Sequence, residues 1–432
     1  MRKIVRKNDK NPWFFIPTQY FAEGLPFVIV NQLTTALYKS LGASNEFIGI
    51  TSFFYLPWSL KFIWSPLVEA NSSKRRWILV MQSLLTILFA LLSLVIKFDN
   101  YIIYSLIIFS LIAIISSTHD IATDGYYLFQ LDKKNQALFS GIRSAFYRLS
   151  MITGSGLFVW LAGYLGDKYG SIKNGWSLTF LAGSFIFIII FFYHLFILPE
   201  PENTDKQPLK TIFIPYRIIF KDYFSQPGIV LSLSFILLYR FGEGMALKMA
   251  QPFFLDGLES GGLNLKLTEV GLIYGTFGVI ALMLGGIAGG WLIKKYSLNK
   301  LFMFLALCMN LPNILFIYLS VYRPLELVSI TIFGFHLSLH LNIIICVILE
   351  QFGYGFGFTA YMVFLIYFSK GTYKTTFYAI STGLMAVGMM IPGFLSGFIQ
   401  SSIGYKWLFV ISCLCALPGL LIIPYLPNVE EK

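Results

Sequence analysis

"YFAEGLPF" at residues 20–27 and "YRFGEGMA" at residues 239–246 each set one glutamate beside glycine inside an apolar run, as Ala22-Glu23-Gly24 and Gly242-Glu243-Gly244. A charge at bilayer depth costs about 2.5–3.5 kcal/mol on insertion scales. Its recurrence 220 residues later therefore marks a repeated element. The repeat widens outward. "EFIGI", beginning at Glu46, is echoed by "TEVGLI", beginning at Thr268, which matches Gly49 with Gly271. The basic turn Lys74, Arg75, Arg76 is echoed by Lys294 and Lys295. The chain reads as two six-helix halves. An even number of spans in each makes the repeats parallel, related by an axis along the membrane normal.

Of the 432 residues, 56% are hydrophobic and 12% charged, half the charged share of about 25% usual in a soluble domain. About twelve apolar runs recur, at 13–38, 46–68, 77–96, 101–131, 138–166, 176–198, 228–256, 268–293, 300–321, 342–369, 375–400 and 405–426. Each is long enough to cross a hydrocarbon core of about 30 Å. The expected fold is an all-α polytopic membrane protein of about 12 transmembrane helices. The first run is too long for a signal-peptide core and lacks a small-residue cleavage site, so it is expected to be the first helix.

The expected organisation is an N-terminal bundle over 1–198, a linker over 199–227 and a C-terminal bundle over 228–432. In the linker, Ile212, Tyr216, Ile219, Phe220 and Tyr223 follow helical spacing, with Arg217, Lys221 and Asp222 between them. This predicts an amphipathic helix on the membrane surface. The register of the repeat breaks once. From Leu325 to Phe368 the chain reads apolar for 44 residues, which as one helix would be about 66 Å long. Phe139 matches Phe377 at an offset of 238, against 222 for Gly49 and Gly271. An insert near 325–340, expected as a short re-entrant or interfacial helix, absorbs the difference.

Charges inside the apolar runs are the functional candidates. Asp120, Asp124 and Tyr127 share one face of the fourth helix. Two carboxylates that close in a poorly hydrated site cannot both ionise cheaply. They are candidates for carrying a transported proton, with Asp124 the first choice for release, or each is held by an arginine as structural glue. Glu23 and Glu350 are further proton candidates. Glu23 lies one turn from Gln19 and lacks a local base, whereas Glu243 lies three positions from Arg240, an expected structural ion pair. Both glutamates are expected to face a central cavity. Gly24 and Gly244 beside them allow close helix approach or local unwinding.

The fifth helix brings Arg143, Tyr147 and Arg148. A guanidinium fork suits carboxylates and phosphates, so Arg143 either pairs with Asp120 or Asp124 or anchors an anionic substrate. Arg148 carries the same choice. Lys61, between Trp58 and Trp64, lies far enough from its helix ends to face a cavity, while Lys248, nearer an end, is expected to snorkel. Gln19, Tyr147 and Tyr354 complete the candidate substrate contacts. Gly353, Gly355 and Gly357 thin the tenth helix, for gating or for close packing.

Several chemistries find no support. His119 and Asp124 spell the acyltransferase pattern H-x-x-x-x-D, which makes a membrane-embedded acyltransferase the weaker alternative, because five positions on a helix rotate the side chains apart by about 140°. His336 and His340 are four apart with no third metal ligand near them. Cys308, Cys346, Cys413 and Cys415 have neither disulfide nor metal spacing. There is no Gly-rich phosphate loop. The sequence predicts no metal, no cofactor and no enzyme. The formal net charge of +11 comes from bases alternating with the loops, not from a nucleic-acid patch.

Two six-helix halves with a hydrophilic central loop resemble the major facilitator superfamily. "LPWSLKFIWSPLVE" (56–69), "HDIATDGYY" (119–127) and "EQFGYGFGFTAY" (350–361) are similar to the branch holding the AmpG-type muropeptide permeases and the acetyl-coenzyme A transporters. The turn after the second helix departs from the usual Gly and Asp pattern, reading "PLVEANSSKRRW" with Glu69 in the acidic place. The resemblance implies a secondary transporter of the cell inner membrane. It would import an anionic, sugar-containing solute with protons, a 1,6-anhydro-muropeptide or alternatively acetyl-coenzyme A. Its expected partners are that small molecule, protons and the lipid bilayer, with no nucleic acid, and a monomer is expected.

Loop charges orient the chain. With the amino terminus in the cytoplasm, 20 Lys and Arg fall in cytoplasmic segments and seven in the opposite loops (Lys39, Lys97, Lys168, Lys173, Lys266, Arg323 and Lys406). This bias predicts both termini inside. Reporter fusions after Glu202 and after Lys432 should both read cytoplasmic. A periplasmic reading at Lys432 alone would mean that the insert crosses the membrane.

Overall fold

A computed structural model describes residues 11–71, 73–199, 218–332, 335–369 and 374–427. Helices dominate because hydrocarbon offers no partner for a backbone N–H or C=O, so each segment must satisfy its own. Helix α1 (16–40) runs through Ile16–Val28, a π-helical turn at Ile29–Leu33 and Thr34–Ser40. Helix α2 (45–71) contains a 3-10 turn at Thr51–Tyr55. Then come α3 (Lys74–Val95), α4 (Tyr101–Gln130), α5 (133–168, with a π-helical turn at Ile152–Leu157) and α6 (Ile172–Ile197).

The second half holds α7 (Ile229–Leu255), α8 (Leu267–Tyr296, with a π-helical turn at Ile273–Gly278), α9 (Leu298–Tyr322) and α10 (Leu341–Phe368). The apolar stretch Thr376–Tyr425 is two helices, α11 (374–403) and α12 (405–425). They hinge at Gly404, whose φ of 79° suits glycine. Among the described residues this makes twelve long helices, six in each half.

The insert departs from expectation. Val328–Ile332 and Phe335–Leu339 form an antiparallel two-stranded hairpin, β1 and β2, with Val328 opposite Leu339 and Ile332 opposite Phe335. The reason is legible in "VSITI" and "FHLSL", where apolar and polar residues alternate with the period of a strand. A count of apolar residues alone misses that period. Of the linker, 200–217 lies outside the described residues, and with it Ile212, Tyr216 and Arg217; so do the side chains of Glu69 and His336. Residues 218–224 are helical. Ile219 and Tyr223 are buried against the second half, with Tyr223 Oη 2.8 Å from Ser381 Oγ, while Lys221 and Asp222 are exposed.

The halves meet through glycines. A Cβ on Gly49 of α2 would lie 2.6 Å from the Phe394 carbonyl oxygen of α11, and one on Gly271 of α8 would lie 2.6 Å from the Trp160 nitrogen of α5. The repeated glycines thus serve equivalent crossings of opposite halves. One turn along, Gly275 lies directly on the Ser155 carbonyl and Gly156. Beyond these crossings a polar cluster closes the same end. Lys39 Nζ lies 2.6 Å from Asp256 Oδ1, Tyr405 donates to Asp256 Oδ2 at 2.5 Å, and Asn45 Nδ2 donates to Gln400 Oε1 at 2.6 Å. This is the closed end of the molecule.

Because a side chain at 275 would collide with backbone, Gly275→Ala should prevent the closed end from forming. Spin labels at Ser40 and Gly257, in a cysteine-replaced background, should report a longer distance in the variant. Gly290→Ala, where a Cβ would meet only Thr359 Cγ2 at 3.8 Å, should leave the distance unchanged.

Candidate functional site

Away from the closed end the halves separate around a cavity of about 530 Å³. On α1 the lining stripe is Tyr20, Glu23 and Phe27, at helical spacing. Tyr55, Trp58 and Lys61 come from α2, Asp120 from α4, and Arg143, Tyr147 and Arg148 from α5. The second half contributes Arg240, Tyr354 and Phe358. Seven aromatic rings thus surround a small set of charges. Apolar walls with a few placed polar groups are the composition of a small-molecule site.

Most of the charge lies on the wall of the first half. Carboxylate oxygens of Glu23, Asp120 and Asp124 lie within 4.8 Å of one another. Lys61 Nζ is paired with Asp120. Arg143 Nη2 donates to Asp124 Oδ1 at 2.9 Å, and Tyr20 Oη donates to the same oxygen at 2.9 Å. The Arg143 guanidinium lies over the rings of Tyr20 and Tyr127, at 4.5 and 4.9 Å from their centroids. Glu23 Oε2 is buried without a hydrogen-bond partner. The Arg143 and Asp124 side chains remain 34% and 40% exposed, against 12% and 15% for Lys39 and Asp256. Water therefore reaches the cavity from the end away from Lys39.

The wall of the second half is neutralised internally. Arg240 donates to both carboxylate oxygens of Glu243, at 2.9 and 3.2 Å, and to Tyr354 Oη at 2.6 Å. The expected pair is present, but Glu243 is 1% exposed and does not line the cavity as Glu23 does. Helix α7 is interrupted at Arg240, which lets the guanidinium turn back onto Glu243. Arg148 lines the cavity and makes no ion pair among the described residues.

Three sequence candidates are placed otherwise than expected. Gln19 is fully buried and lies off the Tyr20, Glu23, Phe27 stripe, with both amide atoms unpartnered inside the bundle. Glu350 lies one turn from Tyr354 toward the closed end and does not line the cavity. It is 2% exposed, accepts from Gln351 Nε2 at 2.9 Å and adjoins Leu315 and Phe316 of α9. Lys248 does not snorkel. It is 8% exposed, and its Nζ donates to Thr51 Oγ1 of the other half at 2.8 Å.

Other readings resolve cleanly. His119 is fully buried, with Nε2 3.0 Å from Gln82 Nε2, and does not meet Asp124. The α10 glycines serve packing: Gly353 lies against the Cys308 carbonyl, Gly355 against that of Leu282 and Gly357 against Met309. Gly24 lies against Ser150, and Gly244 approaches Pro392. His340 Nε2 lies 3.4 Å from Glu269, and the four cysteines are unpaired. Spacing within single helices does not single out Tyr20, Asp256 or the Lys39–Asp256 pair. Lys39 and Asp256 stand at matching ends of the repeated helices α1 and α7 with opposite signs, which is the signal that locates them.

The model of the Major Facilitator Superfamily matches residues 18–345. The anhydromuropeptide permease of Escherichia coli (strain K12) is 25% identical over 409 residues, covering 93% of this chain and 77% of the permease. The putative transporter AmpG 4 of Rickettsia felis is 25% identical over 417 residues, covering 93% of each. Among solved structures, a D-xylose-proton symporter superposes with a TM-score of 0.71 at 9% identity, covering 97% of this chain and 98% of the symporter.

Arg143 holds Asp124 and faces the cavity, so truncating it strands one carboxylate and removes one cation. Arg143→Ala should lower solute uptake at least about tenfold, the factor carried by about 1.4 kcal/mol, with normal membrane insertion. Arg143→Lys should recover only part, because a point charge replaces a planar fork. Full uptake by Arg143→Ala would show that the pair is dispensable.

Proposed function

Because the chain belongs to the major facilitator superfamily, a family of membrane transporters and not of enzymes, we propose that it imports 1,6-anhydro-muropeptides together with protons across the cell inner membrane. These solutes are anionic sugar–peptide products of cell-wall turnover. In this reading both termini and the linker are cytoplasmic, and the cavity opens to the cytoplasm.

One observation carries the coupling. Three clustered carboxylates face two cations, Lys61 and Arg143. The cluster reaches neutrality only with one proton on a carboxylate. Asp120 is committed to Lys61, and Asp124 to Arg143 and Tyr20. Glu23 has an unpartnered oxygen and lines the cavity, so it is the proton carrier in this mechanism. Protonated Glu23 and bound solute let the halves rock to this state; opening toward the cytoplasm hydrates Glu23 and releases both.

The solute class draws support from the relatives named as permease and AmpG transporters and from the aromatic walls, which suit sugar faces. Charge favours it over acetyl-coenzyme A. Of the four cations lining the main cavity, Lys61, Arg143 and Arg240 are each paired, leaving Arg148 for the solute. A multiply phosphorylated molecule needs more.

The test is uptake of labelled anhydro-muropeptide into proteoliposomes, with acetyl-coenzyme A in parallel, with and without an imposed pH gradient. Gradient-driven accumulation of the muropeptide alone is expected. Glu23→Gln should keep counterflow of preloaded solute, which needs no deprotonation, and lose gradient-driven accumulation. Accumulation unchanged in Glu23→Gln would move the proton to Asp120 or Asp124, and uptake of acetyl-coenzyme A alone would overturn the solute.

A further inference from the structure

Toward the closed end the cavity narrows into a second chamber of about 100 Å³, which shares Gln32, Tyr55, Arg240 and Tyr354 with it. Lys248 lines this chamber. An ammonium has three donors, and here one is used, on Thr51. Among the described residues no carboxylate bonds it. A buried charge is retained only where a partner compensates it. The chamber also collects unpartnered polar atoms. Asn31 Oδ1, Gln251 Oε1 and Ser52 Oγ are buried without partners, in residues 5%, 3% and 1% exposed. Gly393 keeps the facing wall of α11 thin, since a Cβ there would lie 2.6 Å from Ser52 Oγ.

The unmet demands define a ligand group. It must present one negative acceptor to Lys248 and an N–H or O–H donor to the amide oxygens of Asn31 and Gln251, while the Ser52 hydroxyl can donate or accept. An inorganic phosphate carries one or two O–H donors near neutral pH, but the second charge of its dianion would face a single cation here. A carboxylate flanked by an amide N–H supplies the single negative acceptor and a donor for one of the amide oxygens, and is small enough. We propose that the chamber is a carboxylate subsite for the peptide terminus of the solute, with Lys248 as its cation. This rests on the reading above only for which solute carries that terminus. Asn31 and Ser52 belong to the first half and Lys248 and Gln251 to the second, so the subsite is complete only while this end is closed, and an occupied subsite ties the halves together.

The probe is N-acetylalanine against N-acetylalaninamide, binding to the purified full chain and read by thermal stabilisation. The acid should stabilise saturably at a concentration at least about tenfold below that of the amide, the size expected for a buried charge contact. Lys248→Met should abolish the preference, and so should Gln251→Glu, whose new carboxylate would occupy Lys248. Each variant is first required to elute as a single species, and either suffices if the other does not fold. No preference in the native chain, or a preference retained in a folded variant, overturns the subsite. Failure of muropeptide uptake would remove the named solute and leave this binding result to decide the subsite alone.

Discussion

Two pairs of helices can cross backbone against backbone only where side chains are missing, and the whole architecture depends on that. Gly49 and Gly397 bring α2 onto α11, while Gly271, Gly275 and Gly156 bring α8 onto α5. No Cβ fits at these crossings. The bundles therefore touch tightly at one end, and the same helices diverge toward the other. Cavity, lining stripe and solvent access all follow from that geometry. Lipid supplies no hydrophobic drive between helices, so close packing of small residues is the main attraction available there.

Inside the cavity the two halves treat charge differently although they descend from one pattern. In the second half Arg240 folds back on Glu243 and the pair is sealed from solvent. In the first half no base lies near Glu23 in sequence, and the carboxylates share cations brought by α2 and α5. An internally neutralised wall is stable and chemically quiet. A cluster of three carboxylates sharing two paired cations is not balanced in that way. Repetition thus supplied the fold, and divergence at one position per half separated a structural pair from a reactive cluster.

Much of this could be read before any coordinates. Twelve apolar runs, the repeated glutamates and the matched glycines gave the two-bundle plan, because hydrocarbon restricts the chain to helices. The Arg240–Glu243 pair and the approach of Arg143 to Asp124 followed from spacing along one helix or across one short turn. The hairpin at 328–339 was hidden because its apolar count resembles a helix while its period does not. Gln19 and Glu350 failed for a related reason. Helical spacing says which residues share a face, but the cavity crosses α1 along Tyr20, Glu23 and Phe27 and is not lined by Glu350. Lys248 was misplaced because distance from a helix end does not reveal a polar chamber built by the other half. The Lys39–Asp256 pair is legible only by comparing the two halves, because its members stand 217 residues apart (256 − 39).

That end cluster also sets how the gate can move. A single carboxylate, Asp256, gathers Lys39, Asn45 and Tyr405, and Asn45 in turn holds Gln400. Contacts that share a member are not independent, and loss of one weakens the rest. Such a latch does not peel open bond by bond. It releases as one cooperative event, at a rim well removed from the cavity.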